Sequence, residues 1–115
     1  MQGDEMSFFT KWSEAMESQD IDAVAACIHA DYKFIRHQSR TKMNKQEVLA
    51  MFTQMFASGA VKMRDHRCLY ENNEVMVEHS IIDFPDGSIE AVLSFCRLKD
   101  GMMMEVETGA TLVKS

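Results

Sequence analysis

The residues best equipped for chemistry are the histidines, of which His66 and His79 flank the dipeptide Asn72-Asn73, with Asp86-Gly87 and Asp100-Gly101 following at hairpin spacing. Dipeptides of this kind favour tight loops between strands. If each is the centre of a two-residue loop, the cross-strand register is set, because opposed residues are equidistant from the loop centre. His66 then faces His79, Ser94 faces His79, and Glu107 faces Ser94. A single row of His66, His79, Ser94 and Glu107 is expected across one face of a sheet, with opposed Cβ atoms roughly 4.5–5.5 Å apart. The other face receives Arg67 against Glu78 as an ion pair, with Leu69 against Met76 and Met63 against Ile82.

Two imidazoles and a carboxylate in such a row have two readings: ligands for iron or zinc, or a polar pocket lining that orients a bound molecule. The second is preferred, because the metal reading requires three turns to be right at once. There is no glycine-rich phosphate loop and no metal-ligand spacing, so neither a cofactor nor a metal is expected. Asp83 and Glu90 are also opposed in this scheme and read as a solvated pair beside a turn. Cys27, Cys68 and Cys96 are odd in number and lack a C-x-x-C pair. They read as small buried hydrophobes in a reducing compartment, and a cytoplasmic location is the simplest expectation.

The elements that must position these groups follow from periodicity. Met6, Phe9, Trp12 and Met16 recur at helical spacing and predict a helix over residues 5–18. Asp20 caps a second helix that buries Ile21, Val24, Ala25 and Ile28, with His29, Ala30 and Asp31 as its exit. Asn44-Lys45-Gln46-Glu47 has the form of a capping box, Val48, Leu49, Phe52, Met55 and Phe56 form the buried stripe of a third helix, and Gly59 stops it. A short strand is expected at Tyr32 to His37, and four more between Val61 and Val113, where the period falls to two. Helices gathered early and strands late give an α+β class: three helices packed on a curved, mainly antiparallel sheet around a pocket.

At 115 residues the chain reads as one domain, 1–115. Its formal charge of -6 and pI near 5.1 argue against a nucleic-acid surface. No run approaches the roughly 18 apolar residues of a membrane span. Eleven Met residues suggest pliable apolar packing.

Gln19-Asp20-Ile21-Asp22-Ala23-Val24, then Ala30-Asp31-Tyr32-Lys33-Phe34-Ile35-Arg36-His37, then Asn44-Lys45-Gln46-Glu47-Val48-Leu49 occur in an order that resembles the nuclear transport factor 2-like superfamily. That superfamily includes ketosteroid isomerase and the SnoaL-like polyketide cyclases. The resemblance implies a cone whose sheet wraps the long helix around an internal pocket, usually in a homodimer through the sheet's outer face. It places His37 where the isomerase carries its general base, and an imidazole suits proton abstraction near neutral pH. Trp12 falls at about the isomerase's oxyanion-binding Tyr, and Leu93 or Ser94 at about its protonated Asp. The chain therefore departs from the isomerase at both donor positions.

The expected function is a small-molecule pocket domain of the cyclase or isomerase type, moving a proton on a modest apolar or aromatic carbonyl compound. His37 would be the base, with His66, His79, Ser94 and Glu107 contacting the ligand. Trp12, Tyr32, Phe52 and Phe56 would supply apolar walls. The alternatives are a non-catalytic ligand-binding or dimerisation module, or a protein-docking domain of the same fold.

Overall fold

A computed structural model describes residues 7–114. The elements run α1 (Phe8–Ser18), α2 (Ile21–Ala26), β1 (Ile28–Arg36), β2 (Thr41–Asn44), α3 (Lys45–Ser58), β3 (Lys62–Glu71), β4 (Val75–Asp83), β5 (Ile89–Lys99) and β6 (Met102–Lys114). Each helix starts on a side chain that satisfies its free amides. Ser7 Oγ accepts from Thr10 N at 3.1 Å, and Asp20 accepts from Asp22 N and Ala23 N. Asn44 and Glu47 cap reciprocally, each backbone N–H donating to the other's side chain at 2.9 Å. α3 ends on Gly59 at φ 63°, the left-handed conformation that closes helices at little cost for glycine.

The three helices cover one face of a six-stranded sheet of order β2-β1-β6-β5-β4-β3. All neighbours are antiparallel except β1 and β6, which run parallel. The α+β class and the curved, mainly antiparallel sheet are as expected. Val24, Ile28, Val48, Met76 and Cys96 are fully buried where helices meet the sheet, and Met103 nearly so.

Local boundaries differ in three places. Met6 lies outside the described residues, and Ser7 is the extended N-cap, so α1 begins at Phe8 and not at residue 5. The second helix stops at Ala26, and Ile28, His29, Ala30 and Asp31 belong to β1 rather than to a helix and its exit. The sheet takes them because Met103 N donates to Cys27 O at 2.8 Å and Ile28 pairs with Met103. β2 was not expected. Its four residues pair with Lys33–Arg36, a partnership that exists only once β1 is in place.

The register expectation is corrected. The Asp100-Gly101 turn is the two-residue loop predicted, both residues at positive φ, with Lys99 opposite Met102. A shift between Arg97 and Leu98 pairings then moves Ser94 opposite Thr108 instead of Glu107. The second connection is a five-residue loop, Phe84 to Ser88, in which Phe84 N donates to Ser88 O. It slips the pairing by one, so Ser94 faces Glu78 and His79 faces Leu93. β3 keeps the predicted register at Lys62–Arg64. It then shifts twice, first around Asp65, at φ 54°, and again before Tyr70, leaving Arg67 opposite His79 and Cys68 opposite Glu78. A bulge inserts a residue and re-aims the side chains after it.

Candidate functional site

The concave face of the sheet is built in rows of opposed residues. The deepest is apolar: Met76, Cys96, Val106 and Phe34. The next is polar, running Glu78, Ser94, Thr108 and Arg36 across β4, β5, β6 and β1. Nearer the rim lie Ser80, Val92 and Ala110, then Ile82, Glu90 and the exposed Leu112. Met51, Phe52 and Met55 of α3 and Trp12 and Met16 of α1 roof this surface, enclosing a cavity of about 400 Å³. A wider groove of about 600 Å³ between α1, α2 and Gly101 has Lys11 and Glu14 on its rim. It includes none of the buried polar residues Glu78, Ser80, Ser94 and Thr108, all of which line the cavity.

Glu78 is the chemical centre. Its side chain is only 11% exposed, and its Oε1 accepts from Trp12 Nε1 at 3.1 Å while bonding His66 Nε2. Among the described residues its Oε2 meets only the weak Cys96 S–H donor, at 3.9 Å. One carboxylate oxygen is thus held by Trp12 and His66, and among the described residues the other has no stronger partner than a thiol. His66 is 7% exposed, is covered by the Phe9 ring at 4.7 Å, and has a buried Nδ1 without a partner. The bulge at Asp65 turns it inward: in an unbroken strand His66 shares a face with Arg64, which points outward to Asp83. Burial, with Cys96 and Glu78 adding to it, pushes the Tyr32 phenol far above its ordinary range. Tyr32 is therefore a hydrogen-bond donor on the cavity wall, never a phenolate near neutral pH. Burial first, then Glu78, likewise raises the Cys96 thiol, which stays an inert S–H.

The predicted site residues divide between the two faces of the sheet. Trp12, Tyr32, Phe52 and Ser94 line the cavity. Phe56 stands behind, stacked on Phe52 at 6.2 Å. His66 reaches the cavity wall through Glu78, not through His79. His37 and Glu107 lie on the outer face, bonded to each other at 3.0 Å and 57% and 36% exposed. His79 is also outside, opposite Arg67 and Leu93. The expected row is therefore split by the register shifts, and its members cannot act on one ligand or hold one metal.

Sequence reasoning missed Glu78, Thr108 and Arg36. The turn arithmetic pairs Glu78 with Arg67 on the face opposite the histidine row, and apolar residues on both sides of Val75 to Ile82 leave period-two alternation unable to say which face is inward. A usable signal was present nonetheless: Glu78 and Ser94 directly follow the apolar runs Val75-Met76-Val77 and Ala91-Val92-Leu93.

A model of the SnoaL-like domain matches residues 9–106. The chain belongs to the SnoaL-like family. With it comes the nuclear transport factor 2-like superfamily, whose solved members share the fold. A steroid delta-isomerase from Pseudomonas aeruginosa superposes with a TM-score of 0.72 at 13% identity, over 90% of this chain and 77% of that one. A nuclear transport factor 2-like protein of unknown function from Cytophaga hutchinsonii gives 0.73 at 12% identity, covering 94% of both. One from Burkholderia xenovorans gives 0.69 at 15% identity, over 90% of this chain and 80% of that one. Identities this low establish the fold of this SnoaL-like domain and leave its chemistry to its own residues. No curated protein matches the sequence.

Proposed function

We propose that this SnoaL-like domain is a cofactor-independent acid–base enzyme that moves a proton on a small apolar or aromatic carbonyl compound held in the cavity, with Glu78 as the base. The carrying observation is the asymmetry of Glu78 on the cavity lining, whose Oε1 is fixed by Trp12 and His66 while Oε2 meets, among the described residues, only the Cys96 thiol. A carbon acid bound over the polar row would lose its proton to Oε2. The charge developing on its carbonyl oxygen would be met by the O–H of Tyr32, with the hydroxyls of Ser94 and Thr108 on the floor nearby. Protonated Glu78 then returns the proton to the same or a neighbouring carbon, so the step needs no external reactant. The isomerase described for the Pseudomonas aeruginosa structure is consistent with such chemistry in this fold.

The test is hydrogen–deuterium exchange at the α-carbon of para-acetylbenzoate, followed by NMR in D₂O. Wild type should accelerate exchange, and Glu78→Gln should reduce the rate about 10²–10⁴-fold, the usual contribution of a positioned base. His37→Ala should change it little, since its side chain is on the other face. Loss of exchange in His37→Ala with full activity in Glu78→Gln would overturn the assignment. A second reading, ligand binding without turnover, is favoured by the hold of Trp12 and His66 on Glu78 Oε1, and a ligand that binds wild type without exchanging would establish it.

We also propose that the outer sheet face joins two copies of the chain. Tyr70, Leu93 and Phe95 are large and exposed there, with Val77 between Tyr70 and Phe95.

A further inference from the structure

The polar row has a second end. Arg36, on β1, faces the cavity three strands from Glu78, and its guanidinium lies 5.9 Å above the Phe34 ring. Among the described residues it makes no ion pair and no side-chain hydrogen bond. Gln38, just past the end of β1, also lines the cavity, and its amide has no partner among the described residues. A fork of guanidinium donors with an amide beside it, braced on an aromatic face at the exposed edge of a mostly apolar cavity, matches the geometry of a carboxylate.

From this we infer that the molecule bound in the cavity carries an anionic group, captured by Arg36 and Gln38, and presents its acidic carbon to Glu78 at the other end. This rests on the function proposed above for the same cavity and adds the class of substrate: a carboxylate-bearing aromatic or alicyclic ketone. The spacing sets its size. Neighbouring strands are ~4.8 Å apart, so three steps give ~14 Å between the Cα atoms of Glu78 and Arg36 along a flat sheet, and less across a concave one. Both side chains reach inward from those positions. The gap left between their heads suits one ring with substituents at opposite ends, lying over Ser94 and Thr108 with Met51, Phe52 and Met55 above it. The remaining cavity carboxylate, Glu90, stands two rows further toward the rim on β5, away from the Arg36 edge. A neutral ketone would leave Arg36 without a function in the site, and a cationic one would be repelled by it.

The experiment compares para-acetylbenzoate with its neutral isostere para-acetylbenzamide by isothermal titration calorimetry, using wild type, Arg36→Gln, Arg36→Lys and Glu78→Gln. The wild type should bind the carboxylate about tenfold tighter or more, the effect of a charge-assisted hydrogen-bond pair. Arg36→Gln should abolish that preference, lowering the affinity for the carboxylate more than for the amide. Arg36→Lys should keep part of it, since the charge remains and the fork is lost. Equal binding of the two probes by wild type would overturn the inference. So would a preference that survives Arg36→Gln, or no binding of the carboxylate at millimolar concentration. Arg36 is exposed, so its replacement leaves the core intact. Glu78→Gln separates the two readings. Retained carboxylate preference with lost exchange supports both, exchange without preference overturns the substrate class alone, and preference without exchange in wild type overturns the catalytic reading alone.

Discussion

Glu78 and Asp83 stand five residues apart on one strand and show how environment divides two carboxylates. Glu78 is enclosed by Trp12, His66 and Cys96 and faces the cavity. Asp83 is at the strand's exposed end, gripped by Arg64 Nε and Nη2 at 2.7 and 3.2 Å. That hydrogen-bonded pair, chiefly through the Arg64 side chain, lowers the Asp83 carboxyl from its ordinary 3.8. Because its folded value is depressed, the folded state binds the proton less readily than the unfolded state. Its contribution to stability is present above pH 3.8 and disappears as pH falls through the lower folded value. In thermal melts at low salt, Asp83→Asn should therefore be slightly less stable than wild type at neutral pH, and the gap should close in strong acid. Raising the salt should shrink it as well, since the pair is exposed. Glu78 was visible in the sequence as an acid inside an apolar run, but its role was not. A residue's type is written in the chain, whereas its partners Trp12 and His66 come from 66 and 12 positions away.

At the level of elements, local chemistry was legible and long-range pairing was not. The Asn44–Glu47 capping box, the Asp20 cap and the Gly59 stop each depend on residues within one or two turns, and all three formed as read. β2 and the register of β3 through β6 depend on neighbours far along the chain. The bulge at Asp65 decides most for the site, because it delivers His66 to Glu78. Asp tolerates a positive φ better than β-branched residues do. Asp65→Val should consequently lower unfolding stability by about 1–2 kcal/mol in urea titrations, while Asp65→Gly, free of the Cβ penalty, should stay within about 0.5 kcal/mol of wild type. If both variants behave alike, backbone conformation at Asp65 is not what holds the bulge. No short-range signal marks this insertion, since Arg64-Asp65-His66-Arg67 is polar throughout and fits either face of a strand.

For the whole molecule, the sheet has two working surfaces, a concave one holding the cavity and a convex one carrying Tyr70, Leu93 and Phe95. If the convex face joins two copies, Leu93→Arg should convert the protein from a dimer to a monomer of 13.2 kDa in sedimentation equilibrium. The cavity reaction should persist in that variant, because Leu93 points away from Glu78; a wild type that is already monomeric would refute the dimer. The sequence by itself determined the α+β class, three helices with the caps of the second and third, and the hairpin positions, all of which follow from periodicity, capping and turn chemistry acting over a few residues. Only the tertiary structure decided which polar groups meet. A strand alternates faces at every residue, so two bulges, a five-residue loop and one slipped pair were enough to split His79 and Glu107 from His66 and Ser94 and to align Glu78, Ser94 and Thr108 in one inward row, which the β1–β6 pairing extends to Arg36.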